Sequence, residues 1–522
     1  MNNNNQNNNQ TNNASNQQQA NPIQNVVNQV TQPPAEQVID VTNGAKKKDG
    51  QVVCPNCGAS EISPNPKTGK LRCDYCACEF DGKKVETVVN DLSNLKGKIR
   101  GKGTSNIKAD VKDVVTLKCG GCGAEVVIDT ANAPHARCHW CRSILSINSQ
   151  IENGATPDVI LPFKEQKASA QKRINDFVGS RKFFAHPQFK KEFTTENIMG
   201  VYFPYLIVDA NCHAKYKGQG EHLVRSYTVG SGDHKETRYD ADLYNVGREF
   251  DITIDDLTIE SNTTRLDKTS NSQTNNIINS IMPFDTENCI QYEANYLVGY
   301  TSERRDVNID EMEEHVTKQF KDVAKFAAKE DAKFYNRGIR WDQQDLQVHG
   351  TQWLAAYLPV WLYSYQEVTG NKKILHYVAV NARTGETMGS VPINMPLLFG
   401  ISAIIEVIFG ALGIALMLSS SGSSDDDDGT AFLLFFAAGF IFYGIMYMRY
   451  RNKGARHTYE RETKKNVTNM VREDVFVEKR KGLKNAVMQG SNDSQLEGDV
   501  VKKSFLEKKL EEAVVATNTE KK

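Results

Sequence analysis

The sequence lacks an excess of charge of either sign. It has 63 Lys and Arg residues against 64 Asp and Glu residues, a net charge of −1 over 522 residues. A strong global charge is what draws a protein to nucleic acid or to acidic substrates, so the overall charge indicates neither class of partner. A chain of this length is long enough for two to four domains.

The sequence also begins without a secretory signal. Residues 1–32 are dominated by Asn and Gln and have neither a cationic start nor an apolar run. A tract this polar cannot bury enough apolar surface to offset its ordering entropy. We therefore predict a disordered leader and linker over residues 1–50.

Recognisable catalytic motifs are missing too. Gly97–Thr104 fails as a phosphate loop, because four residues must separate the first glycine from Gly-Lys and Ser or Thr must follow directly. The histidines are scattered, without His-Glu-x-x-His spacing, and there is no nucleophile elbow. We expect a protein that is not an enzyme, with no catalytic residues.

Paired cysteines are the strongest signal that is present. Eight of the eleven form two copies of one arrangement, in which Cys-x-x-Cys, fifteen residues and a second Cys-x-x-Cys follow one another. The first copy is Cys54, Cys57, Cys73 and Cys76, and the second is Cys119, Cys122, Cys138 and Cys141. This spacing lets a hairpin bring four thiolates into the tetrahedron that Zn²⁺ accepts. It predicts two tandem zinc ribbons with four cysteine ligands each, residues 51–82 and 116–150, and one structural Zn²⁺ in each ribbon.

Alternatives remain for these cysteines. Disulfides are one, although paired cysteines of this kind suit a reducing cytosol better, and a rubredoxin-like iron site is another. Four filled positions leave none for water or substrate, so catalysis at the metal is not expected. Gly58 and Gly123 follow the second cysteine of a pair, where the turn can require a positive φ. Cys78 is either a competing ligand or a small buried side chain.

A basic segment connects the ribbons. Residues 83–115 are predicted to be a linker. Its basic part begins at Leu95 and includes Lys96, Lys98, Arg100, Lys102, Lys108 and Lys112. One interpretation is a nucleic-acid footprint, since ribbons beside a basic segment can grip phosphates. The other is a solvated linker, which the absence of stacking aromatic residues favours.

A degenerate repeat follows and predicts a duplicated α+β middle domain, with units at 151–275 and 276–393. Ile160–Phe163 opens one copy and Ile281–Phe284 opens the other. Each copy continues through a helical stretch to an apolar strand, Val201–Val208 or Ala356–Tyr363. The proline within each strand argues for an edge position or a bulge.

The helix of the second copy has the clearer pattern. Asn308 and Glu311 are placed as a capping pair. The apolar residues that share one face are Met312, Val316, Phe320, Val323 and Ala327.

Two apolar runs predict a transmembrane hairpin. Residues 395–418 and 431–448 each reach the length that crosses a hydrocarbon layer of about 30 Å, the second only just. The alternative is a buried helical hairpin of a soluble domain. The connecting loop 419–430 has no Lys or Arg and carries Asp425–Asp428, whereas Arg449 and Arg451 follow the second run. Positive charge on the inner side predicts a multi-pass cell-membrane protein with both termini and the charged tail 449–522 in the cytoplasm.

Glu406 lies near the middle of the first run. A charge there costs about 2.5–3.5 kcal/mol on insertion scales, so an intramembrane acid indicates a functional role. Counting from the cytoplasmic ends places it at the level of Ala437, Ala438 and Gly439, where no polar side chain is present. The hypothesis is a homo-oligomer contact through Glu406; the alternative is a neutral acid packed beside small residues.

Several segments carry a family resemblance. They are Cys119–Arg142, Tyr357–Leu362, Asn381–Glu386 and the two apolar runs. These segments resemble the bacterial proteins described as TFIIB-type zinc ribbon-containing, over about Cys119–Tyr450. The resemblance implies zinc and a membrane location, and it supplies no established activity. The cyclin-like repeats of the eukaryotic transcription factor are not evident, so promoter binding does not carry over.

Together the sequence predicts a non-enzymatic membrane adaptor or scaffold. Two ribbons and the middle domain would form a cytoplasmic head that binds an unknown cytosolic protein partner, with two structural Zn²⁺ ions as its cofactors. The alternative is a membrane-tethered nucleic-acid binder.

Overall fold

A mixed α+β architecture dominated by β-sheet is present in the computed structural model, which confirms the predicted class. The described residues are 36–39, 54–59, 62–65, 67–82, 91–104, 114–129, 136–146, 148, 150–151, 156–231, 234–262, 279–369, 372–419, 437–451 and 463–484.

Seventeen strands occur among the described residues. In chain order, β1 to β17 are Glu36–Ile39, Ile62–Asn65, Lys70–Cys73, Glu79–Phe80, Gly97–Gly101, Val114–Lys118, Glu125–Asp129, Gln150–Ile151, Val159–Ile160, Met199–Val229, Glu236–Glu260, Ile290–Gln291, Thr301–Glu303, Ile339–Thr369, Lys372–Asn381, Thr387–Gly389 and Lys464–Lys484. The helices α1 to α5 are Lys167–Gly179, Pro187–Glu192, Ile309–Glu330, Met395–Ser419 and Ala438–Arg451.

Two 31-residue strands, β10 and β14, form the centre of the main sheet. They pair antiparallel from Met199 opposite Leu362 to Gly220 opposite Ile339. Strand β11 pairs with the other side of β10, and β17 pairs with β11. The two predicted repeat strands therefore lie side by side, with Phe203 opposite Leu358.

The prolines of these strands lie neither at the edge of the sheet nor at a bulge, so both alternatives of the prediction are wrong. Pro204 lies where the neighbour of β10 changes from β13 to β11, and its carbonyl accepts from Ser261 N at 3.1 Å. Pro359 lies where the neighbour of β14 changes from β9 to β15, and its carbonyl accepts from Ala382 N at 3.1 Å. A missing N–H costs no ladder hydrogen bond where one neighbouring strand ends and the next begins.

Helix α3 covers the half of the sheet formed by β10, β11 and β14. The predicted capping pair is confirmed: Glu311 Oε1 accepts from Asn308 N at 3.4 Å, and Glu311 N donates to the Asn308 carbonyl at 3.2 Å. All five residues of the predicted apolar face are buried in one core with Phe250 and Trp353. Helix α1 packs in a second core, with Ala170, Ile174 and Val178 buried.

Three segments predicted to lie outside the folded domains contribute strands instead. Gly97–Gly101, within the predicted linker, inserts beside β14 as β5, and Glu36–Ile39 of the leader pairs with β5. Part of the predicted charged tail forms β17, of 21 residues. The close approach of β5 needs a glycine, since a Cβ at Gly350 would stand 2.4 Å from the carbonyl oxygen of Leu95. Lys108 and Lys112 lie outside the described residues.

The apolar hairpin is described in part. Within the residues that the structure describes, one helix is long and apolar enough to span a membrane, Met395–Leu416. The second predicted span is helical from Ala438, and residues 431–436 lie outside the described part. The predicted loop Asp425–Asp428 is also outside it. Helices α4 and α5 pack against each other.

Candidate metal centres and their surroundings

Each predicted ribbon brings its four cysteines together. Cys54 Sγ lies 3.5 Å from Cys76 Sγ, and Cys57 Sγ lies 3.6 Å from Cys73 Sγ. In the second ribbon the equivalent distances are 3.4 Å and 3.6 Å. All ligand atoms of one group lie within 4.8 Å of one another. A tetrahedron with zinc–sulfur bonds of about 2.3 Å has edges of about 3.8 Å, so both groups fit a metal ion.

The disulfide alternative does not agree with this geometry. All eleven cysteines are free, and the sulfur–sulfur distances are far longer than the roughly 2.05 Å of a disulfide bond. Cys78 is half-buried and is not one of the four grouped sulfurs; its Sγ donates to Glu79 O at 3.9 Å, and burial with the neighbouring Cys54 raises the pKa of its thiol.

The four Cys-x-x-Cys turns share one backbone pattern. In each, the amide of the first cysteine donates to the carbonyl five residues later, and its carbonyl accepts from the residue after the second cysteine. That following residue has a positive φ in every turn, which confirms the prediction for Gly58 (74°) and Gly123 (81°). In the other two turns Ala77 (56°) and Arg142 (62°) adopt the same conformation. The repeated conformation shows that the turn sets the backbone and that glycine is optional there.

Replacing Ala77 by glycine is expected to strengthen the first ribbon. A left-handed conformation costs a residue with a Cβ about 1–2 kcal/mol, and glycine avoids this cost while losing more chain entropy on folding. The net gain should be about 0.5–1 kcal/mol, read as slower zinc release to a colorimetric chelator. The control is Gly58→Ala, which should release zinc faster than wild type; equal rates for all three proteins would contradict the argument.

Hydrogen bonds to sulfur favour the charged form of some ligands. A backbone N–H of the turn, at Cys78, and the Asn56 side chain at 3.6 Å lower the pKa of Cys76 to about 6. In the second ribbon, the hydrogen bond from Cys138 lowers the pKa of Cys122 to about 5. The same hydrogen bond raises the pKa of Cys138, so this pair shares a proton that a bound metal ion would displace.

The second ribbon is built into the main sheet. Its strand β7 pairs with β13, which pairs with β10. His139 is buried between Thr301 Oγ1 (3.2 Å from Nδ1) and Glu303 Oε1 (3.4 Å from Nε2). Trp140 Nε1 donates to the same carboxylate, and Ser364 Oγ donates to the His139 carbonyl at 2.6 Å. His139 and Trp140, which lie between the ligands Cys138 and Cys141, therefore fix the second metal centre to the sheet.

The first ribbon attaches to the body differently. Its strands β2, β3 and β4 form a separate three-stranded sheet. It contacts the body through buried side chains, Ile62 and Leu71 beside Tyr296 and Leu297, and through Asn295 Nδ2, which donates to Ile62 O at 3.1 Å. Its contact is a packed surface without shared strands.

Glu406 is paired within the hairpin. Its Oε2 accepts from the Gly439 amide at 2.8 Å, at the start of α5. The predicted level of Glu406 is confirmed, but the expectation that it lacks a polar partner within the chain is wrong. The first amides of a helix have no partner in that helix, and a carboxylate satisfies one of them. A Cβ at Gly439 would stand 2.4 Å from Ser402 O, so the helices touch closely here.

The base of the hairpin is joined to the body at the corner between α1 and α2. Tyr450 is buried; its hydroxyl accepts from Phe184 N at 2.8 Å, and its carbonyl accepts from Val391 N at 3.1 Å. Arg181 Nε donates to Arg449 O at 3.1 Å. These bonds fix the hairpin relative to the sheet.

An acidic cluster around the buried Asp209 lies at a bulge of β10 and was not found from the sequence. One carboxylate oxygen from each of Asp209, Asp255 and Asp256 lies within 4.8 Å of the other two. Asp209 Oδ1 accepts from Asp256 N at 2.9 Å, and Oδ2 accepts from Gln352 Nε2 at 3.1 Å. Burial, with the two neighbouring carboxylates, raises the pKa of Asp209 to about 7. An aspartate between apolar strand residues was the only available signal.

Asp209→Asn is expected to stabilise the protein at pH 8. An acid with a raised pKa favours folding fully below its unfolded pKa of about 3.9, and that contribution is lost as pH rises towards 7. The asparagine should therefore gain about 2 kcal/mol at pH 8, with the difference shrinking towards pH 5. Thermal unfolding at both pH values measures it. The exposed control Asp345→Asn should show no such pH-dependent gain, and a gain equal to that of Asp209→Asn would contradict the assignment.

No family model, curated protein or solved structure matches this chain. The two candidate metal centres are therefore inferred from the geometry of this chain's own cysteines.

Proposed function

We propose that this chain is a non-enzymatic integral membrane protein whose zinc-ribbon head acts as an adaptor for a cytosolic protein partner. Each cysteine group would hold one structural Zn²⁺, the two α+β units would derive from a duplication, and the chain would cross the membrane at residues 395–418 and 431–448. In this proposal both termini face the cytoplasm, and the chain is related to the bacterial proteins with TFIIB-type zinc ribbons.

The observation that carries the proposal is the apolar outer surface of the hairpin. Large side chains of both helices point away from the protein, among them Phe399 (70% exposed), Val407 (71%) and Phe440 (74%). A hairpin in a soluble core would turn such residues inward, and contiguous exposed apolar surface indicates a membrane or a partner. The length of α4 favours the membrane.

The surface beside the hairpin fits an inner membrane face. The corner that holds Tyr450 carries the exposed cations Lys182, Lys190, Lys191 and Arg449. Exposed cations next to a span are attracted to anionic headgroups of a cytoplasmic leaflet. Since the hairpin is fixed to this corner, the head would be held against the membrane surface.

The basic segment supports the adaptor rather than the nucleic-acid alternative. Part of the basic segment is a strand of the main sheet, and Lys98 pairs with Glu313 at 3.3 Å and Asp310 at 3.5 Å. Glu406 already bonds Gly439 within the chain, so the proposal assigns it to joining the two helices rather than two subunits.

Alkaline extraction of membranes, together with thiol labelling, tests the proposal. The chain should stay in the membrane pellet at high pH, and an impermeant thiol reagent should label its cysteines only after cells are opened. Purification in mild detergent should then recover a cytosolic protein at constant ratio. Release into the supernatant, or labelling of intact cells, would contradict it.

A further inference from the structure

A cleft of about 670 Å³ lies where the two ribbons meet the body. The first ribbon contributes Ser63 and Pro64 to its wall, and the second contributes Arg137 and Arg142. The body supplies Lys167, from the first turn of α1, and an apolar part that includes Ile198, Met199 and Val298. The cleft is therefore formed only when both metal centres are folded against the sheet.

The charge of the cleft is positive. Three cations line it, Arg137, Arg142 and Lys167, against one acid, Glu196. Within the described part of the chain, no carboxylate lies at ion-pair distance from any of the three. Arg142 is held over the ring of Tyr363 at 5.3 Å, and Arg137 Nη1 donates to Arg142 O at 3.4 Å. Their charges are positioned by neutral groups and remain available to an anion.

The N-terminus of α1 adds to the positive electrostatic potential of the cleft. Its N-cap, Gln166, makes no side-chain cap hydrogen bond, and its first turn contains no acidic residue. Glu165 lies just before the helix and is neutralised by Arg173, whose Nε lies 2.8 Å from it. The N-terminal dipole of α1 therefore reinforces the charge of Lys167.

The aromatic residues of the cleft do not offer free faces. Tyr300 is stacked on Phe163, with ring centroids 4.3 Å apart and planes at 10°. Trp361 is 5% exposed and also contacts Phe163. Single-stranded nucleic acid binds by stacking its bases on open aromatic faces, so this cleft does not suit it.

We propose that the cleft binds a short acidic peptide segment of the protein partner. Carboxylates would pair with Arg137, Arg142 and Lys167, because a guanidinium presents paired donors that match a carboxylate. An apolar side chain of the same segment would contact Met199 and Val298, of which Val298 is 37% exposed. This inference rests on the proposed adaptor function and names the chemistry of what the adaptor holds.

Fluorescence anisotropy with full-length protein in detergent tests it. The probe is a fluorescein-labelled peptide of alternating Glu and Leu, compared with an alternating Lys and Leu peptide and with oligothymidine. We expect binding of the Glu peptide alone, weakened by salt. Replacement of Arg137, Arg142 and Lys167 by glutamine should weaken it about tenfold or more.

The matched control replaces Lys318, Lys321 and Lys333 by glutamine, three exposed cations on or beside α3, away from the cleft. This variant should bind the Glu peptide like wild type, and both variants should keep the zinc content of wild type. Equal binding by the cleft variant, no binding by wild type, or tighter binding of oligothymidine would each overturn the inference.

The partner experiment separates the two proposals. If the cleft variant recovers the cytosolic partner as well as wild type does, the adaptor function stands and the cleft inference is wrong. If neither protein recovers a partner while wild type binds the Glu peptide, the cleft stands and the adaptor function is wrong.

Discussion

Cys138→Ala is expected to remove one metal ion and to destabilise the whole sheet. Cys138 is fully buried, and its neighbours His139 and Trp140 contact the carboxylate of Glu303. Without a fourth thiolate the second ribbon loses its metal, and β7 then loses the order that supports β13 and β10. The free energy of unfolding should fall by more than about 4 kcal/mol, as for other losses of a metal. Metal analysis and thermal unfolding measure the two effects.

The matched control is Cys73→Ala in the first ribbon. Cys73 is equally buried, and its loss should also remove one metal ion per chain. The damage should stay local, because β2, β3 and β4 form their own sheet. Hydrogen exchange should show protection of residues 201–208 retained in Cys73→Ala and reduced in Cys138→Ala. Equal loss of protection in both variants would refute the structural difference between the ribbons.

Arg248→Met is expected to detach β17 and the end of α3 from the sheet. The Arg248 side chain is 2% exposed; its Nη1 donates to Asp474 of β17 at 2.6 Å, and its Nε lies 2.8 Å from Asp331 after α3. Removing the cation leaves two partly buried carboxylates, with Arg472 as the remaining partner of Asp331. The loss should be about 3–5 kcal/mol, with faster proteolysis within residues 464–484.

Lys484→Met provides the comparison for this prediction. Lys484 of β17 pairs with Glu236 of β11 at 3.1 Å, and the two side chains are 71% and 45% exposed. An exposed pair contributes at most about 1 kcal/mol. If the two variants lose similar stability, burial does not explain the contribution of the Arg248 ion pairs to the free energy of unfolding.

The ligands of both metal centres could be read from the sequence because thiolate spacing follows directly from turn geometry. The same spacing predicted the positive φ of Gly58 and Gly123 but not that of Ala77 and Arg142, where side chains gave no sign of it. The three-dimensional attachment of the ribbons depends on His139, Trp140 and Asn295, whose partners lie far away in the chain. No local pattern carries that information.

The fold was predictable where apolar periodicity was strong, as in α3 and the centres of β10 and β14. It was missed in β5, where two of the inward positions are Gly97 and Gly101 and only Ile99 is apolar. Most of β17 is exposed, and its pairing with β11 depends on backbone hydrogen bonds and on ion pairs such as Arg248–Asp474, which composition does not reveal. Glu406 was placed at the correct level, yet its partner is a backbone amide, which a count of polar side chains overlooks.

Metal content of the purified full-length protein is the most direct test of this account. Mass spectrometry of digested protein should find two zinc ions per chain, and the solution should lack the visible absorbance of iron–thiolate centres. The absence of bound metal, with all eight paired cysteines reactive towards a thiol reagent in the folded protein, would contradict it.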